Sequence, residues 1–339
     1  MDKIHLLTPK ERLSYFEKAA DQMGIAVPLI EKDYWVVWML GRIFSFAELH
    51  DHLTFKGGTS LSKVYGLIKR FSEDVDLSIE KTFFGFSKDK SPDQFSSRKQ
   101  RDISLKQLSK ECGQYVQHKL RKTLSEDFSN ELNSTDEWNL RIDEIDSTNQ
   151  TLLFDYPAVT SARMGYIQPS VKIELGARSE HWPVSHHVIQ SYVKEFLKNN
   201  VDEPEVRVKV LNVERTFWEK ATILHQYAHI PDGKKAPSRI SRHYYDFYCL
   251  LNSSTKKQAL TDQDLLEKVA NHKKVYFPSA WAQYPSAKKG SLKLTPPDRI
   301  LGELGKDYRE MREMFFEEPA TWNEMMEVIK SFEIEFNLK

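Results

Sequence analysis

The chain has 339 residues, and its 49 lysine and arginine residues balance 49 aspartate and glutamate residues, so the formal net charge is zero. This balance gives the protein no overall electrostatic bias toward nucleic acid or membrane, so any such bias must be local. Hydrophobic residues make up 40% of the sequence, which supports a packed core and excludes global disorder. Two distant cysteines, Cys112 and Cys249, favour a reducing compartment over a disulfide framework.

The N-terminal segment predicts two helices. In "TPKERLSYFEKAADQMG", Thr8 and Glu11 form a capping box and Gly24 gives a stop signal. The next helix, "PLIEKDYWVVWMLGRIF", is apolar on most sides and should be buried, with its charged residues 31–33 paired. The start of the chain lacks the apolar region of a signal peptide, and no apolar run could span a bilayer. We therefore expect a cytoplasmic protein without membrane contact.

The stretch "FKGGTSLSKVYGLIKRFSEDVDLSIE" combines a glycine turn with an acidic strand. A strand ending at Gly57 and Gly58, followed by a helix over residues 60–70, lets backbone N–H groups approach an anion. The alternation in "DVDLSI" puts Asp74 and Asp76 on one strand face, where they repel each other unless a cation lies between them. Mg²⁺ prefers such carboxylates together with substrate phosphates. The alternative is a solvated strand face after a structural turn.

A further acid is expected from the strand "SVKIELGAR". Its apolar residues alternate, so Lys172 and Glu174 share the opposite face. An ordinary exposed ion pair is the alternative interpretation. Combined with the glycine turn and the paired aspartates, the strand predicts a site for phosphoryl or nucleotidyl transfer, because that chemistry depends on positioning and charge neutralisation.

The rest of the chain divides into a mixed segment and a helical one. Residues 81–100 are loop-like and a long helix is expected over 98–125. The segments that predict further strands are "WNLRIDEID", "TLLFDYP" and "VRVKVLN". From about Val213 onward the apolar spacing is helical. The shift near residue 205 predicts a core over 1–205 and a mainly helical module over 206–339.

Four motifs, "GGTSLSK…RFSEDVDL", "VKIEL", "FWEKATILH" and "SRHYYDFY", together resemble the AbiEii/AbiGii-type nucleotidyltransferase toxins of the DNA polymerase beta-like nucleotidyltransferase superfamily. The resemblance covers roughly residues 30–250 in order. It implies an α+β fold with a polymerase-beta-like core and mixed sheet, followed by a C-terminal helical module. It also implies NTP as substrate, Mg²⁺ (or Mn²⁺) as cofactor and a cognate antitoxin within a toxin–antitoxin or phage-defence pair. The implied acceptor is RNA, such as the tRNA 3′ end.

Position by position, the resemblance assigns roles to residues of this chain. The catalytic set it implies is Asp74, Asp76, Lys172, Glu174 and Glu219. The metal ligands it implies are Asp74, Asp76 and Glu174. The nucleotide-binding set is Gly57, Gly58, Thr59, Ser60, Lys63, Lys220 and Arg242. For Lys63, which could steer NTP, a solvated helix face remains the alternative.

The last motif departs from the family pattern. It matches at Arg239, Arg242 and Asp246, but Arg242-His243 stands where the commoner form has Arg-Asp. Asp246 then takes over an acidic role, or the departure marks a subfamily with another acceptor. An ion pair between Arg242 and Asp246, four residues apart on a helix, explains the two residues equally well. Arg70, just before the acidic strand, is expected to buttress the carboxylates.

A basic and aromatic stretch near the C-terminus is a candidate RNA surface. Its residues are Lys273, Lys274, Lys288, Lys289, Lys293, Tyr276, Phe277, Trp281 and Tyr284. Lysines interleaved with aromatic rings suit a surface that follows a phosphate backbone and stacks bases. A loop packed by its own aromatic residues is an equally good interpretation.

Other functions compete with nucleotide transfer. A metal-dependent nuclease also needs carboxylates and a lysine, but the common signature places an acid before Glu-x-Lys, whereas this chain has Lys172-Ile-Glu174. The Gly57-Gly58 turn would also have no role in a nuclease. A non-catalytic nucleotide-binding module has no need of several carboxylates in one place. Transfer to a protein or small-molecule hydroxyl stays open.

Overall fold

The chain forms a seven-stranded mixed sheet followed by helices in the computed structural model, which describes residues 3–72, 74–160, 168–197, 201–203, 205–262 and 264–338. The strands are β1 (Leu53–Lys56), β2 (Asp74–Ile79), β3 (Asn139–Ile142), β4 (Thr151–Asp155), β5 (Ser170–Gly176), β6 (Val184–Ile189) and β7 (Val206–Leu211). The helices up to β7 are α1 (Pro9–Met23), α2 (Val27–Phe44), α3 (Gly57–Lys63), α4 (Arg98–Gln114), α5 (Arg121–Glu131) and α6 (Tyr192–Phe196). Those after it are α7 (Val213–Ala228), α8 (Ser241–Leu251), α9 (Thr255–Thr261), α10 (Asp264–Tyr276), α11 (Asp298–Glu310) and α12 (Trp322–Leu338). The predicted α+β class is confirmed.

The sheet places the acidic strand near its centre. The strand order is β3-β4-β5-β2-β1-β7-β6, with β2 parallel to β5 and β1 parallel to β7, and the other neighbours antiparallel. Strand β6 was not predicted, because "VSHHVI" has two histidines at its centre and lacks a regular apolar alternation. The strand lies at the edge of the sheet, so it has a neighbouring strand on one side only. The central pairing of β2 with β1 and β5 brings the glycine turn and both acidic motifs together.

The first two helices follow the sequence signals. The capping box of α1 is present, with the Glu11 N–H donating to Thr8 Oγ1 at 3.4 Å and the Thr8 N–H donating to Glu11 Oε2 at 3.0 Å. Gly24, with φ +68°, ends the helix. Helix α2 packs in the core. Within the described residues, no helix combines the length and the apolar character needed to cross a bilayer.

The buried charges of α2 have partners, as predicted. Glu31 accepts hydrogen bonds from the backbone N–H groups of Val159 (2.6 Å) and Thr160 (3.1 Å). Asp33 accepts one from the Tyr192 N–H at 2.7 Å. These bonds offset the cost of burying two carboxylates and tie α2 to the chain segments that follow β4 and β6.

Two predicted helices differ in length from the observed ones. Helix α3 ends at Lys63 instead of residue 70, because Gly66 takes a left-handed conformation (φ +61°) and turns the chain. The long helix predicted over 98–125 is present as α4, a π-helical turn over Tyr115–Leu120, and α5, and it continues to Glu131.

Two hydrophobic clusters separate the sheet from the later helices. One combines the sheet with α1, α2, α4 and α5, and the other combines α7, α8, α10, α11 and α12 with Leu61 and Ile68. The sheet continues past residue 205, since β7 pairs with both β1 and β6. The change from sheet to helices therefore falls at Asn212, a few residues after the position near 205 that the sequence predicts as the boundary.

Candidate active site

The acidic residues of β2 and β5 share one face of the sheet. Val75 and Leu77 are buried, while Asp74 and Asp76 keep 14% and 26% of their side-chain surface. In the parallel register, Asp74 lies opposite Lys172 and Asp76 lies opposite Glu174. Because side chains alternate along a strand, all four point to the same side. The structure therefore brings together the residues that the two strand motifs predicted.

The glycine turn is in contact with this face. Gly57 has φ +80°, and a Cβ atom there would lie 1.8 Å from Asp76 Oδ2. A Cβ on Gly58 would lie 2.8 Å from Ser72 Oγ and 3.0 Å from Arg70 Nη2. Both positions therefore have no room for a side chain, and at Gly57 the backbone conformation also favours glycine.

Replacing Gly57 by alanine should remove transfer activity, because the new methyl group has to displace the Asp76 carboxylate. The matched control is Gly85→Ala: Gly85 has a similar φ of +76°, but a Cβ there would meet nothing within 4 Å. Both variants should lose about 1–2 kcal/mol of unfolding free energy from the left-handed backbone. Comparable transfer rates in the two variants would contradict the assignment of Gly57.

Each of the three predicted metal ligands is paired with a cation. Arg242 Nη1 lies 3.1 Å from Asp74 Oδ2, Lys56 Nζ lies 3.7 Å from Asp76 Oδ1, and Lys172 Nζ lies 2.8 Å from Glu174 Oε1. Each of these contacts places a positive charge against one carboxylate of the acidic face.

The charges around the acidic face shift several pKa values. Burial alone would raise the pKa of Asp74, but the nearby charges of Arg242 and Arg239 outweigh it and lower the pKa. Burial lowers the pKa of Lys172, and its hydrogen bond and charge interaction with Glu174 more than compensate, so the pKa is raised. The pKa of Lys56 is raised in the same way, by Asp76 and Glu219 against the effect of burial. At neutral pH, Asp74 is thus an anion beside protonated partners.

The three-carboxylate metal set is not assembled. Among the described residues, no three Asp, Glu, His or Cys side chains are placed to hold one ion. The carboxylate of Glu174 is paired with Lys172 Nζ at 2.8 Å. What the structure does provide is the pair of Asp74 and Asp76, and two carboxylates on one face fit Mg²⁺, which completes its coordination with water and substrate oxygens.

Asp246 lies in a buried network behind the glycine turn. Arg70 donates to it through Nε and Nη2 at 2.8 and 2.9 Å, and Lys220 Nζ donates at 2.7 Å. Lys220 also donates to His243 Nδ1 at 3.1 Å. Burial would raise the pKa of Asp246, but the two cations hold it well below its usual range. Burial, with Lys220 and Arg242 close by, lowers the pKa of His243, which leaves its ring nitrogen free to accept.

This network places Arg70, Arg242 and Lys220 against partners that the sequence analysis did not assign to them. Arg70 pairs with Asp246 and does not touch the β2 carboxylates. Arg242 reaches Asp74, so the ion pair with Asp246 that was the alternative to phosphate binding is not formed. Lys220, predicted as a phosphate contact, is buried against Asp246.

The side chains predicted to bind nucleotide from α3 are used within the protein. Lys63 is 5% exposed, pairs with Asp33 at 2.7 Å and lies 3.8 Å from the centre of the Tyr192 ring. Thr59 Oγ1 donates to the carbonyl of Asp74, and Ser60 Oγ donates to the Gly57 carbonyl at 2.9 Å. The two hydroxyl groups therefore donate to backbone carbonyls of the turn and of β2, and Lys63 links α3 to α2. These contacts do not support direct binding of a nucleotide by the three side chains.

Glu219 lies beside the acidic face without being part of it. Arg215 Nε is 3.2 Å from Glu219 Oε1, and Lys273 Nζ donates to the Glu219 carbonyl at 2.9 Å. Burial would raise the Glu219 pKa, but the charges of Arg215, Lys273 and Lys56 lower it. The charge of Lys56 therefore acts on both Glu219 and Asp76. The sequence analysis did not predict a role for Lys56. Its position directly before Gly57, on a strand that pairs with β2, could have indicated that it lies beside Asp76.

The basic and aromatic stretch does not form one stacking surface. Tyr276 and Tyr284 belong to the buried core, and Lys273 is held by the Glu219 carbonyl. Phe277 is 41% exposed. The remaining lysines of the stretch, at 274, 288, 289 and 293, are exposed. The loop thus packs mainly through its own aromatic residues, with Phe277 as an exception.

Two pockets flank the acidic face. The Asp74 pocket, of about 910 Å³, is lined by Asp74, Lys172 and Arg239 among others. The Glu174 pocket, of about 490 Å³, is lined by Asp76 and Glu174. Lys172 borders both. Two openings thus meet at the carboxylates.

A comparison with protein-family profiles is consistent with the four motifs. The profile of the family described as "Nucleotidyl transferase AbiEii toxin, Type IV TA system" matches residues 38–332. Among solved structures, the chain is similar to MenT4, a nucleotidyltransferase toxin from Mycobacterium tuberculosis H37Rv, with 14% identity and a TM-score of 0.43 over 95% of this chain and 97% of that chain. No protein of curated function matches the sequence. Because the family profile spans most of its length, the chain belongs to the AbiEii family of nucleotidyltransferase toxins of type IV toxin–antitoxin systems.

Proposed function

We propose that this nucleotidyltransferase transfers a nucleoside monophosphate from an NTP to a hydroxyl group on RNA, with the tRNA 3′ end as the acceptor. The observation that supports this best is the position of Asp74 and Asp76 between two pockets that share Lys172. A transferase has to bring two substrates to the same carboxylates, and two pockets that meet there have room for both. A nuclease, with one substrate, needs only one.

We propose Asp74 and Asp76 as ligands of Mg²⁺ (or Mn²⁺). Both face the same side of β2, next to a turn whose backbone approaches Asp76. When bound there, the ion would supply charge neutralisation for the phosphate groups. Arg242 and Lys56 now hold these two acids, and they are the cations best placed to exchange partners with phosphate oxygens.

In the proposed reaction, the acceptor hydroxyl oxygen forms a bond to the α-phosphorus of the NTP. The bond from that phosphorus to the oxygen bridging to the β-phosphate breaks, and pyrophosphate leaves. We propose that Glu174 accepts the hydroxyl proton, since its carboxylate borders the smaller pocket beside Asp76. Lys172 orients Glu174 through the 2.8 Å contact.

The test is incubation of the purified protein with total RNA and an NTP labelled at the α-phosphate, with Mg²⁺ or with EDTA. We expect label to enter RNA of tRNA size, only with the metal, and each NTP can be tried separately. Label on protein or on a small molecule would overturn the RNA acceptor. Shortening of RNA without NTP would favour a nuclease, and NTP binding without any transfer would favour a binding module.

We further propose that the enzyme acts as a cytoplasmic toxin, in a toxin–antitoxin or phage-defence pair, and that a cognate antitoxin protein restrains it. Expression of the wild-type chain alone should arrest growth, and co-expression of the antitoxin should restore it, as measured by viable counts. The Asp76→Asn variant, expressed at the same level, is the control and should be harmless. Equal arrest by the variant would show that toxicity does not come from transfer.

A further inference from the structure

We infer that the Glu174 pocket binds a nucleotide, with its phosphate on Arg178 and its base on Phe277. Both residues line this pocket together with Asp76, Glu174 and Lys56. The inference rests on the proposed function and extends it, because it assigns a ligand and two binding residues to the smaller of the two openings.

Arg178 is a cation without a carboxylate counter-charge. Its guanidinium is half-buried, and within the described part of the chain no carboxylate pairs with it. Burial lowers its pKa, and no carboxylate offsets that effect. By contrast, Lys56 and Lys172 in the same pocket each have a carboxylate partner. A partly desolvated arginine without an acid is costly in the free protein, and a phosphate group, which it can bind through two parallel hydrogen bonds, would remove that cost.

Two further acids that line this opening, Asp143 and Asp146, do not neutralise Arg178, because they accept hydrogen bonds within their own loop. Asp146 accepts hydrogen bonds from the Thr148 and Gln150 N–H groups at 2.8 and 2.9 Å, and from Thr151 Oγ1 at 2.9 Å. Asp143 accepts a hydrogen bond from the backbone N–H of Ile145 at 3.1 Å, and its Oδ2 atom lies 4.0 Å from Lys172 Nζ. The charge of Arg178 is therefore available to a ligand.

The same pocket has an exposed apolar lining. Phe277 is 41% exposed and Ile145 is 92% exposed, and both border the opening. An exposed aromatic ring beside positively charged side chains is typical of places where a planar base stacks. A volume of about 490 Å³ is large enough for one nucleotide.

Two sources could supply that nucleotide: the NTP, or the terminal nucleotide of the RNA acceptor. Both present a phosphate and a base next to Asp76 and Glu174. The chemistry recognised is the same, so the experiment uses one probe for each. The first is a non-hydrolysable NTP analogue, followed by calorimetry, and the second is a fluorescent single-stranded oligoribonucleotide, followed by anisotropy at several salt concentrations.

Binding of both probes is measured for Arg178→Met, Arg178→Lys, Phe277→Ala and Phe277→Tyr. The matched control is Arg98→Met, which removes a guanidinium that is 83% exposed and lines neither pocket. We expect Arg178→Met and Phe277→Ala each to weaken one probe by about tenfold or more, and the probe affected identifies the source. Arg178→Lys and Phe277→Tyr should retain part of the affinity. If the affected probe is RNA, Arg178→Met should also reduce the slope of its salt dependence by about one.

Unchanged affinity for both probes in Arg178→Met and Phe277→Ala would overturn the inference. Should Arg178→Met fail to fold, Arg178→Lys and Phe277→Ala still decide it. Failure of the proposed function is detected by a separate measurement: in the transfer assay, the wild-type protein would not transfer label from NTP to RNA. Wild-type transfer with unaffected binding in the variants would refute the inference alone.

Discussion

Replacing Asp74 or Asp76 by asparagine is expected to lower the rate of transfer by about a thousandfold or more. The reason is that a metal ion contributes several kcal/mol of charge stabilisation to such a reaction, and each 1.36 kcal/mol is worth a factor of about ten. Initial rates with an NTP labelled at its α-phosphate give the loss. Mn²⁺ binding in the presence of a non-hydrolysable NTP analogue should be lost together with the rate, which connects the effect to the metal.

The same variants should fold, although not for the reason that the sequence suggested. The alternation of side chains along "DVDLSI" predicts that the two aspartates repel each other, so that removing one of them would stabilise the fold. In the structure each is paired, Asp74 with Arg242 and Asp76 with Lys56, so removal leaves a cation without its partner. We therefore expect a modest loss of stability, and no gain.

A matched control separates the loss of a carboxylate from the loss of the site. Asp127 pairs with Arg42 at 2.7 Å, and neither residue lines the Asp74 pocket or the Glu174 pocket. Asp127→Asn removes a comparable, partly exposed ion pair and should leave transfer unchanged. Retained transfer in Asp74→Asn or Asp76→Asn at saturating Mg²⁺ would contradict the metal assignment.

The sequence predicted the acidic face because that feature depends on local geometry. Side chains of a strand alternate with period two, so "DVDLSI" and "VKIEL" each determine which residues share a side. The pairing of the two strands then needed only that they be neighbours in the sheet. The glycine turn was predicted for the same reason, since Gly57 directly follows β1 and is intolerant of a side chain.

The partners of these acids could not be predicted, because they are set by packing between distant segments. Arg242 and Asp74 are 168 residues apart, and the helix spacing of four had offered Asp246 as an alternative partner of Arg242. Lys63 appeared exposed at the end of α3, yet α2 packs over it and supplies Asp33. Similarly, Tyr276 and Tyr284 are interleaved with lysines in the sequence, but both are buried, because α10 turns Tyr276 inward and the turn that begins at Tyr284 packs against the helices.

Replacing Asp246 by alanine should lower the free energy of unfolding by about 3–5 kcal/mol, the range for breaking a buried ion pair on one side only. Asp246 is 0% exposed and is the shared partner of Arg70 and Lys220, so its removal leaves two buried cations unpaired. Arg70 Nη2 also packs against Gly58, so the loss should disturb the turn before α3 and reduce transfer. Denaturant unfolding and the transfer rate measure the two effects.

The pH dependence of this loss gives the sharper test. The folded-state pKa of Asp246 is depressed by its two cations, so the stabilisation is present above the unfolded pKa of about 3.9 and is lost as pH falls through the folded value. The difference between wild type and Asp246→Ala should therefore be constant at neutral pH and narrow in acid below about pH 4. Asp155→Ala is the control, because Asp155 forms an exposed pair with Arg141 and should cost at most about 1 kcal/mol. An Asp246→Ala variant as stable as Asp155→Ala would show that Arg70 and Lys220 find other partners and that Asp246 does not hold the turn.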